Sequence, residues 1–289
     1  MRVPVLMVIR QSYNTINTKH QNNMRVVFKN ICKLYHYTKF DTAIRILCSH
    51  SLRFGRLNDM NDIHENDKIS YVNLSGTTIN SLPSIVLDSI NNEMSKYRQI
   101  SFTSDSNKQG FDLHQMWGHY ADKGQGVCFV FDKDILCNNF EDSVWHREVL
   151  YDETVDSFCV ANSNDFQGMQ HDIQEQVDKL FFHKRKEWEH EQEYRLIKYC
   201  SNLKKEEYLD YGDALKFIIL NSVIESIDVA KFNKMTEELN NKAPKIPILV
   251  YGNGLLDYSL CNINHTDTIW TSSDGYNILI PGENCKIDA

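Results

Sequence analysis

Two glutamates late in the chain, Glu191 and Glu193, are two residues apart, a spacing that suggests a catalytic pair of carboxylates. They lie where a charged stretch starting at Lys186 gives way to a strand-like run at 194–200. If one strand includes both glutamates, they face the same side of a sheet, because strand residues alternate with a period of two. Two carboxylates that converge on a cleft can stabilise a cationic transition state or move a proton. The alternative is a polar start of a strand with two solvated charges, which is the commoner arrangement.

Polar side chains also alternate along two earlier predicted strands. His36 lies in the run 32–38, and Ser101 and Thr103 share one face of the run 98–104. Taken singly, a strand histidine is more often structural, and a serine–threonine pair is more often hydrogen-bonded packing. Three strands nevertheless carry polar residues at positions that let them point together, so we predict that the histidine, the hydroxyls and the glutamates converge.

A mixture of strands and helices must position these side chains. The hydrophobic pattern predicts strands at 25–28, 32–38, 52–55, 98–104, 127–131, 144–152, 215–220, 246–251 and 256–263. It predicts helices at 41–49, 84–97, 112–121, 164–187 and 228–241. We expect one α+β domain over residues 24–289, preceded by a loose extension at 1–23. If the helix predicted at 164–187 continued through residue 193, the two glutamates would lie about 200° apart and would share no face.

The overall composition argues against several classes of protein. With 31 basic and 39 acidic residues the net charge is −8, so there is no broad basic nucleic-acid face, although a local patch is compatible with this balance. The eight cysteines include no CxxC pair, which argues against a zinc site and favours reduced thiols in a cytoplasmic protein. No apolar run reaches about 18 residues, and the apolar start lacks a cleavage site, so we predict neither a membrane span nor a signal peptide. The loop 58–67 lacks the central glycine and final glutamate of a calcium loop, so we expect no metal.

Three short motifs in chain order resemble those of ADP-ribosyltransferases. They are LYHYT at 34–38, SFTS at 101–104 and EQE at 191–193. In that family the first strand carries a histidine or arginine, the second carries hydroxyls and the third carries the key glutamate. The resemblance implies an ADP-ribosyltransferase-like α+β fold, with two packed, mostly antiparallel sheets flanked by helices.

A closer resemblance, over about residues 32–263, is to a large bacterial family known only as a domain of unknown function. Its recurrent motifs correspond here to LYHYT at 34–38, ND at 61–62, MWGHYA at 116–121, GVCFVFD at 126–132 and EYRL at 193–196. The helix at 41–49 and the extended piece after it also resemble the nucleic-acid-modifying branch of the transferases.

The transferase resemblance implies NAD as the substrate, cleaved at its bond to nicotinamide. Such cleavage builds positive charge on the ribose, as in glycoside hydrolysis. The resemblance assigns Glu193 to stabilise that charge and Glu191 to orient or deprotonate the acceptor. Two hydroxyls of the second strand would brace Glu193, those of Ser101 and Thr103. Arg195 is expected to face away from Glu193 or to pair with Asp62.

The remaining residues would hold the rest of NAD. His36 and Thr38 would bind the adenosine ribose, and Arg53 or Arg56 would meet the pyrophosphate, because arginine suits phosphate oxygens. The nicotinamide face would be covered by one of three aromatic side chains: Tyr37, Trp117 or Tyr120. His119 precedes a glycine turn, a usual place for cleft-lining residues, although a short aromatic helix is more often a packing unit.

The function implied by the resemblance is NAD-dependent ADP-ribosylation of a macromolecule by a bacterial toxin or antiphage effector. RNA or DNA is favoured as the acceptor over protein, and an antitoxin or regulatory protein is an expected partner. A second hypothesis is a non-catalytic module that binds a nucleotide or partner. The reason is that a chain with a net charge of −8 and no basic stripe has no evident surface for binding nucleic acid. A third is an NAD glycohydrolase, which uses water as the acceptor.

Overall fold

The computed structural model describes most of the middle of the chain. The described residues are 32–57, 72–73, 84–106, 108–153, 158–159, 166–221, 246, 248–252, 255–257, 268–271 and 277–280. Several sequence predictions lie outside them: the extension 1–23, the strand 25–28, the loop 58–67 and the helix 228–241.

The helices and strands follow one another in mixed order. The helices are α1 (Phe40–Ser49), α2 (Ser84–Met94), α3 (His114–His119), α4 (Lys133–Cys137), α5 (Phe166–Glu175) and α6 (Val177–Phe181). Short 3₁₀ helices span Asp122–Gly124, Lys186–Glu191 and Gly212–Ala214. The strands are β1 (Lys33–Thr38), β2 (Ser51–Arg53), β3 (Gly55–Arg56), β4 (Val72–Asn73), β5 (Tyr97–Ser104), β6 (Val127–Asp132), β7 (Val144–Glu148), β8 (Leu150–Asp152), β9 (Phe158–Cys159), β10 (His183–Arg185), β11 (Glu193–Tyr199), β12 (Tyr208–Asp210), β13 (Leu215–Asn221), β14 (Ile248–Gly252), β15 (Leu255–Asp257), β16 (Thr268–Thr271) and β17 (Asn277–Ile280).

The fold is mixed α/β, with antiparallel sheets and several helices. The chain divides into two compact units. Unit 1 comprises Met1–His50, Asp105–Asn138 and Tyr211–Ala289, and unit 2 comprises Ser51–Ser104 and Asn139–Asp210. A division into compact units does not tell how many domains fold independently. The single domain expected over 24–289 therefore stays a prediction.

Unit 1 is organised around the buried strand β6. On one side β6 pairs antiparallel with β1, and on the other it pairs antiparallel with β13. The sheet continues through β14, parallel to β13, and β15. The apolar run at 127–131 is fully buried, which confirms the central strand predicted from its lack of alternation. Strands β1 and β13 are likewise confirmed as strands.

Gly126, just before β6, lies against the backbone of unit 1. A Cβ atom there would lie 2.3 Å from the carbonyl oxygen of Thr38 and 2.8 Å from backbone atoms of Ala121, whereas a Cβ at Gly118 would meet nothing within 4 Å. We expect Gly126→Ala to lower the free energy of unfolding by about 1–3 kcal/mol, because the backbone must shift. The matched variant Gly118→Ala, in α3, should raise it by up to about 1 kcal/mol. Urea unfolding of both variants measures this, and equal midpoints would contradict the described packing.

In unit 2, antiparallel pairing joins four strands in the order β3, β5, β11 and β7. Shorter pairs join β2 to β12 antiparallel and β8 to β10 in parallel. The apolar side chains of α2, α5 and α6 form its core together with Tyr97 and Ile197. The hydrophobic stripe predicted for the segment 164–187 is therefore buried, at Met169, Ile173, Val177, Leu180 and Phe181.

The single long helix predicted at 164–187 is nevertheless wrong. Helix α5 ends at Glu175, and Gln176 leaves the helical conformation (φ −109°, ψ 17°) before α6 begins. After α6 the chain becomes extended, because β10 pairs in parallel with β8. A non-local strand pairing has overridden the helix propensity of a Lys/Arg/Glu-rich segment.

Two smaller boundaries also differ from the sequence predictions. The helix expected at 84–97 ends at Met94, because Tyr97 already opens β5 and pairs with Tyr199. The strand expected at 144–152 divides into β7 and β8 at Val149. The Val149 N–H donates to the Glu193 carbonyl at 2.9 Å, so the break brings β8 beside the start of β11.

Candidate functional site

Glu191 and Glu193 do not share a strand. Glu193 is the first residue of β11, whereas Glu191 is the last residue of the 3₁₀ helix Lys186–Glu191. Gln192, between them, adopts the left-handed conformation (φ 49°, ψ 47°). The alternation of an extended chain therefore does not place these carboxylates side by side, and the prediction that they face one side of a strand is wrong.

A lysine nonetheless brings the two carboxylates together. Lys184, in β10, is 4% exposed, and its Nζ lies 2.7 Å from Oε2 of Glu191 and 3.6 Å from Oε2 of Glu193. The same Nζ lies 4.7 Å from the centre of the Trp188 ring, which is a cation–π geometry. Sequence reasoning missed Lys184 because it falls in the predicted helix 164–187, where a run of charges normally faces solvent.

Arg195 is the second cation beside Glu193, and it is fully buried. Its Nε lies 2.8 Å from Oε1 of Glu193 and its Nη2 lies 2.6 Å from Oε2, which makes a bidentate pair. Its Nη1 donates to the carbonyl of Phe181 at 2.6 Å. The expectation that Arg195 faces away from Glu193 is wrong, because residues two apart on a strand share a face. The other expected partner, Asp62, lies outside the described residues.

Neutral hydrogen bonds to Glu193 come from the neighbouring strand β5. The carboxylate accepts a hydrogen bond from the Ser101 hydroxyl. Gln99 donates from Nε2 to Oγ of Ser101 at 2.8 Å and to Oε1 of Glu193 at 3.4 Å. Thr103 lies directly opposite Glu193 in the register, but its buried hydroxyl has no hydrogen-bond partner in the described part of the chain. The Glu193 N–H donates to the hydroxyl of Tyr151 at 2.9 Å.

The charge state of Glu193 follows from these contacts. Burial by itself would raise its pKa, but the positive charges of Arg195 and Lys184 and the hydrogen bonds from Arg195 and Ser101 outweigh burial and lower the pKa to about 2. The carboxylate is therefore ionised at neutral pH. Burial and the nearby charge of Glu193 raise the pKa of Tyr151, so its phenol stays protonated.

Two of the aromatic residues proposed to cover nicotinamide lie in the core of unit 1. The rings of Tyr37 and Trp117 meet edge to face at 5.1 Å between centroids, and both side chains are buried. Trp117 donates from Nε1 to the carbonyl of Phe111 at 2.8 Å, and Tyr37 donates to the carbonyl of Gly110. Burial raises the pKa of Tyr37. These rings therefore pack the interior.

The other unit 1 candidates are more accessible. Tyr120 is half-buried and His119 is exposed, with 6.3 Å between their ring centroids. His36 is half-buried in β1, opposite Phe129 of β6, and Thr38 at the end of the strand is buried. Of the three proposed aromatics, Tyr120 is the one whose ring a ligand could reach without repacking the core.

The arginines proposed for the pyrophosphate lie on the surface of unit 2. Arg53 and Arg56 are both exposed, and both pair with Glu206, at 3.2 and 3.4 Å. Exposed pairs of this kind are weak, so a phosphate could compete with Glu206 for either guanidinium.

Within the described ranges, no group of three or more His, Cys, Asp or Glu side chains could hold a metal ion. None of the described helices combines the length and the apolar character needed to span a bilayer.

The comparisons with known proteins give one finding. Residues 116–196 match the family described as Protein of unknown function (DUF2971). The matched stretch runs from α3 to the middle of β11 and so includes Lys184, Glu191, Glu193 and Arg195. This supports, over that stretch, the resemblance to a family of unknown function. No curated protein and no solved structure matches the chain.

Proposed function

We propose that this protein is an NAD-dependent ADP-ribosyltransferase with an ADP-ribosyltransferase-like fold, and that Glu193 is its catalytic carboxylate. The observation that carries the proposal is the state of Glu193. It is 5% exposed, ionised and hydrogen-bonded by Ser101 and Gln99 from the neighbouring strand. A transition state with cationic ribose is stabilised by an anion whose position is fixed before the reaction. The order of the three sequence motifs supports the same proposal.

The proposed reaction is a displacement at the ribose carbon attached to nicotinamide. The bond from that carbon to the nicotinamide nitrogen breaks, and its electron pair leaves with nicotinamide, which becomes neutral. A lone pair of the acceptor forms the new bond to the same carbon, and the acceptor proton passes to Glu191. Glu193 opposes the positive charge that develops on the ribose between these two events.

The acceptor that we propose is a macromolecule, with RNA or DNA favoured over protein. The setting is that of a cytoplasmic bacterial toxin or antiphage effector held in check by an antitoxin or regulatory protein. Within unit 2, which also contains Glu193, the exposed guanidinium of Arg53 would meet the pyrophosphate of NAD. That His36, Thr38, His119 and Tyr120 bind the same dinucleotide stays a prediction from the sequence.

The test is incubation of the full chain with NAD carrying ³²P in its adenylate phosphate, together with a bacterial cell extract. The products are separated into nucleic acid, protein and small molecules. We expect label in the nucleic-acid fraction that is lost on nuclease treatment. Label in protein alone would overturn the acceptor, and unconsumed NAD would overturn the activity. Release of free ADP-ribose with no labelled macromolecule would indicate the glycohydrolase.

A second candidate function, a non-catalytic nucleotide- or partner-binding module, is favoured by one specific observation. A carboxylate offers about four acceptor positions. At Glu193, Oε1 is taken by Arg195 and Gln99, and Oε2 by Arg195 with Lys184 nearby. A ribose hydroxyl can reach this carboxylate only if one partner moves. Calorimetry with NAD, ADP-ribose and RNA separates the two candidates, because the module binds without turnover.

A further inference from the structure

The two carboxylates of the site start from different pieces of secondary structure and meet at one ammonium group. Glu191 ends a 3₁₀ helix and Glu193 begins β11. Arg195 forms its bidentate pair with Glu193. By contrast, the Lys184 ammonium reaches both carboxylates, at 2.7 and 3.6 Å. This lysine therefore spans the turn at Gln192 that separates them.

Lys184 is itself held firmly in unit 2. Its backbone belongs to β10, where it lies opposite Tyr151 of β8 in the parallel register. The hydroxyl of that same Tyr151 accepts the N–H of Glu193, so one residue ties the lysine strand to the start of β11. The ring of Trp188 lies 4.7 Å from the Lys184 ammonium. The long side chain of Lys184 is thus confined to one position. A charged group that is confined in this way can hold the groups that it contacts in position.

The charges within this group balance. Glu191 and Glu193 carry two negative charges, and Lys184 and Arg195 carry two positive charges, all on buried side chains. Removal of the Lys184 charge would leave a buried excess of one negative charge. Buried unpaired charges are strongly unfavourable, so a carboxylate must then take up a proton or move toward water. The first response would remove the charge of Glu191 or Glu193, and the second would displace one of them from its described position.

We infer that Lys184 is a positioning residue, whose ammonium holds Glu191 and Glu193 at a fixed separation across the left-handed turn at Gln192. The inference deepens the proposed function and rests on it for the catalytic consequence. Within that function, Glu193 faces the ribose and Glu191 receives the acceptor proton. Their relative position then decides whether both act on one substrate.

The experiment compares the full-length protein with Lys184→Met, Lys184→Gln and Lys184→Arg. Lys186→Met is the matched control, because Lys186 is an exposed lysine two residues away that pairs with Glu189 at 3.2 Å. Glutamate is labelled with ¹³C at the side-chain carboxyl, and the two resonances are assigned with Glu191→Gln and Glu193→Gln. If Lys184→Met does not fold, Lys184→Gln serves, because it removes the charge and keeps a polar end group.

In Lys184→Met or Lys184→Gln we expect the pKa of Glu193 to rise by about one to three units and the Glu191 carboxyl resonance to move. Lys184→Arg should restore both signals in large part, and Lys186→Met should leave them unchanged. In the labelling assay, kcat per folded molecule should fall about 10- to 100-fold with little change in KM for NAD, because Lys184 contacts the carboxylates rather than the dinucleotide.

The two assays separate the two ideas. Unchanged carboxyl resonances in a folded, uncharged Lys184 variant would overturn the positioning role, whatever the activity. Shifted resonances with wild-type kcat would overturn the catalytic consequence of the positioning, because the separation of the two carboxylates would then not affect the reaction. If the resonances shift as expected but the wild-type protein consumes no NAD, the proposed function fails, and Lys184 still stands as the residue that holds the two carboxylates.

Discussion

Replacement of Arg195 by methionine is expected to lower the free energy of unfolding by about 3–5 kcal/mol, because it leaves Glu193 buried without its bidentate partner. Arg195 is fully buried, and both oxygens of Glu193 accept hydrogen bonds from it. Methionine replaces the apolar stem of arginine but not the guanidinium, so the lost interaction is mainly electrostatic. The variant also loses the hydrogen bond to the Phe181 carbonyl. Urea unfolding followed by circular dichroism measures the loss.

The sheet itself supplies a matched control. Arg147, in β7, lies directly opposite Arg195 in the register of β11. Its side chain is 46% exposed and pairs at 2.6 Å with Asp178, which is also exposed. Arg147→Met should cost only about 0–1 kcal/mol, because exposed ion pairs are screened by water. A similar loss for both arginines would contradict the described burial of Arg195.

A double variant tests whether the loss of stability in Arg195→Met comes from leaving the Glu193 carboxylate buried without its partner. When Glu193→Met accompanies Arg195→Met, both members of the buried pair become apolar. Such replacements are often neutral or stabilising, so we expect the double variant to be more stable than Arg195→Met alone. Lys184 keeps its 2.7 Å contact with Glu191 in this background. If the two single losses simply add, the residues are not energetically linked.

Strands whose signal is local could be predicted from the sequence. The run 127–131 is apolar without alternation, and it is the fully buried centre of unit 1. Strand β5 was expected at 98–104 and spans Tyr97–Ser104. In each case the side chains that determine the structure lie within one short segment, so a period or an apolar run is enough to reveal it.

Features that depend on a distant partner could not be predicted in this way. Strand β10 is extended because it pairs with β8, about 30 residues earlier in the chain, and its own Lys and Arg residues favour a helix. Lys184 was missed for the same reason. The contact of Arg195 with Glu193 is different, because the period of two already places these residues on one face, and the sequence alone should have predicted it.

Residue type also did not predict which of the three aromatic candidates is exposed. Tyr37, Trp117 and Tyr120 are all able to stack on a nicotinamide ring, yet the first two are buried and Tyr120 is only half-buried. Trp117 is instead stacked with Tyr251, at 5.9 Å between centroids. Which aromatic side chain faces outward depends on how strands β6, β13 and β14 are arranged. That arrangement cannot be predicted from the short sequence motif around Trp117.

The largest functional effect is expected for Glu193→Gln. This change keeps the shape of the side chain and removes the charge, so ³²P labelling from NAD should fall by about 10²–10³-fold if the carboxylate stabilises the cationic ribose. It also leaves Arg195 buried beside a neutral amide, which is destabilising. Labelling rates must therefore be divided by the folded fraction, determined in the same buffer. Glu187→Gln, at an exposed position in the 3₁₀ helix Lys186–Glu191, should label like the wild type.

Glu193→Asp separates a catalytic carboxylate from a structural one. Aspartate keeps the negative charge that Arg195 and Lys184 require, but it withdraws the carboxylate by one methylene. A misplacement of about 1 Å can cost about 10²-fold in rate, so labelling per folded molecule should fall by about that factor while stability falls less than in Glu193→Gln. Wild-type labelling by folded Glu193→Gln would rule out Glu193 as the catalytic carboxylate. The buried charges of Glu193, Arg195 and Lys184 would then serve only to stabilise the start of β11.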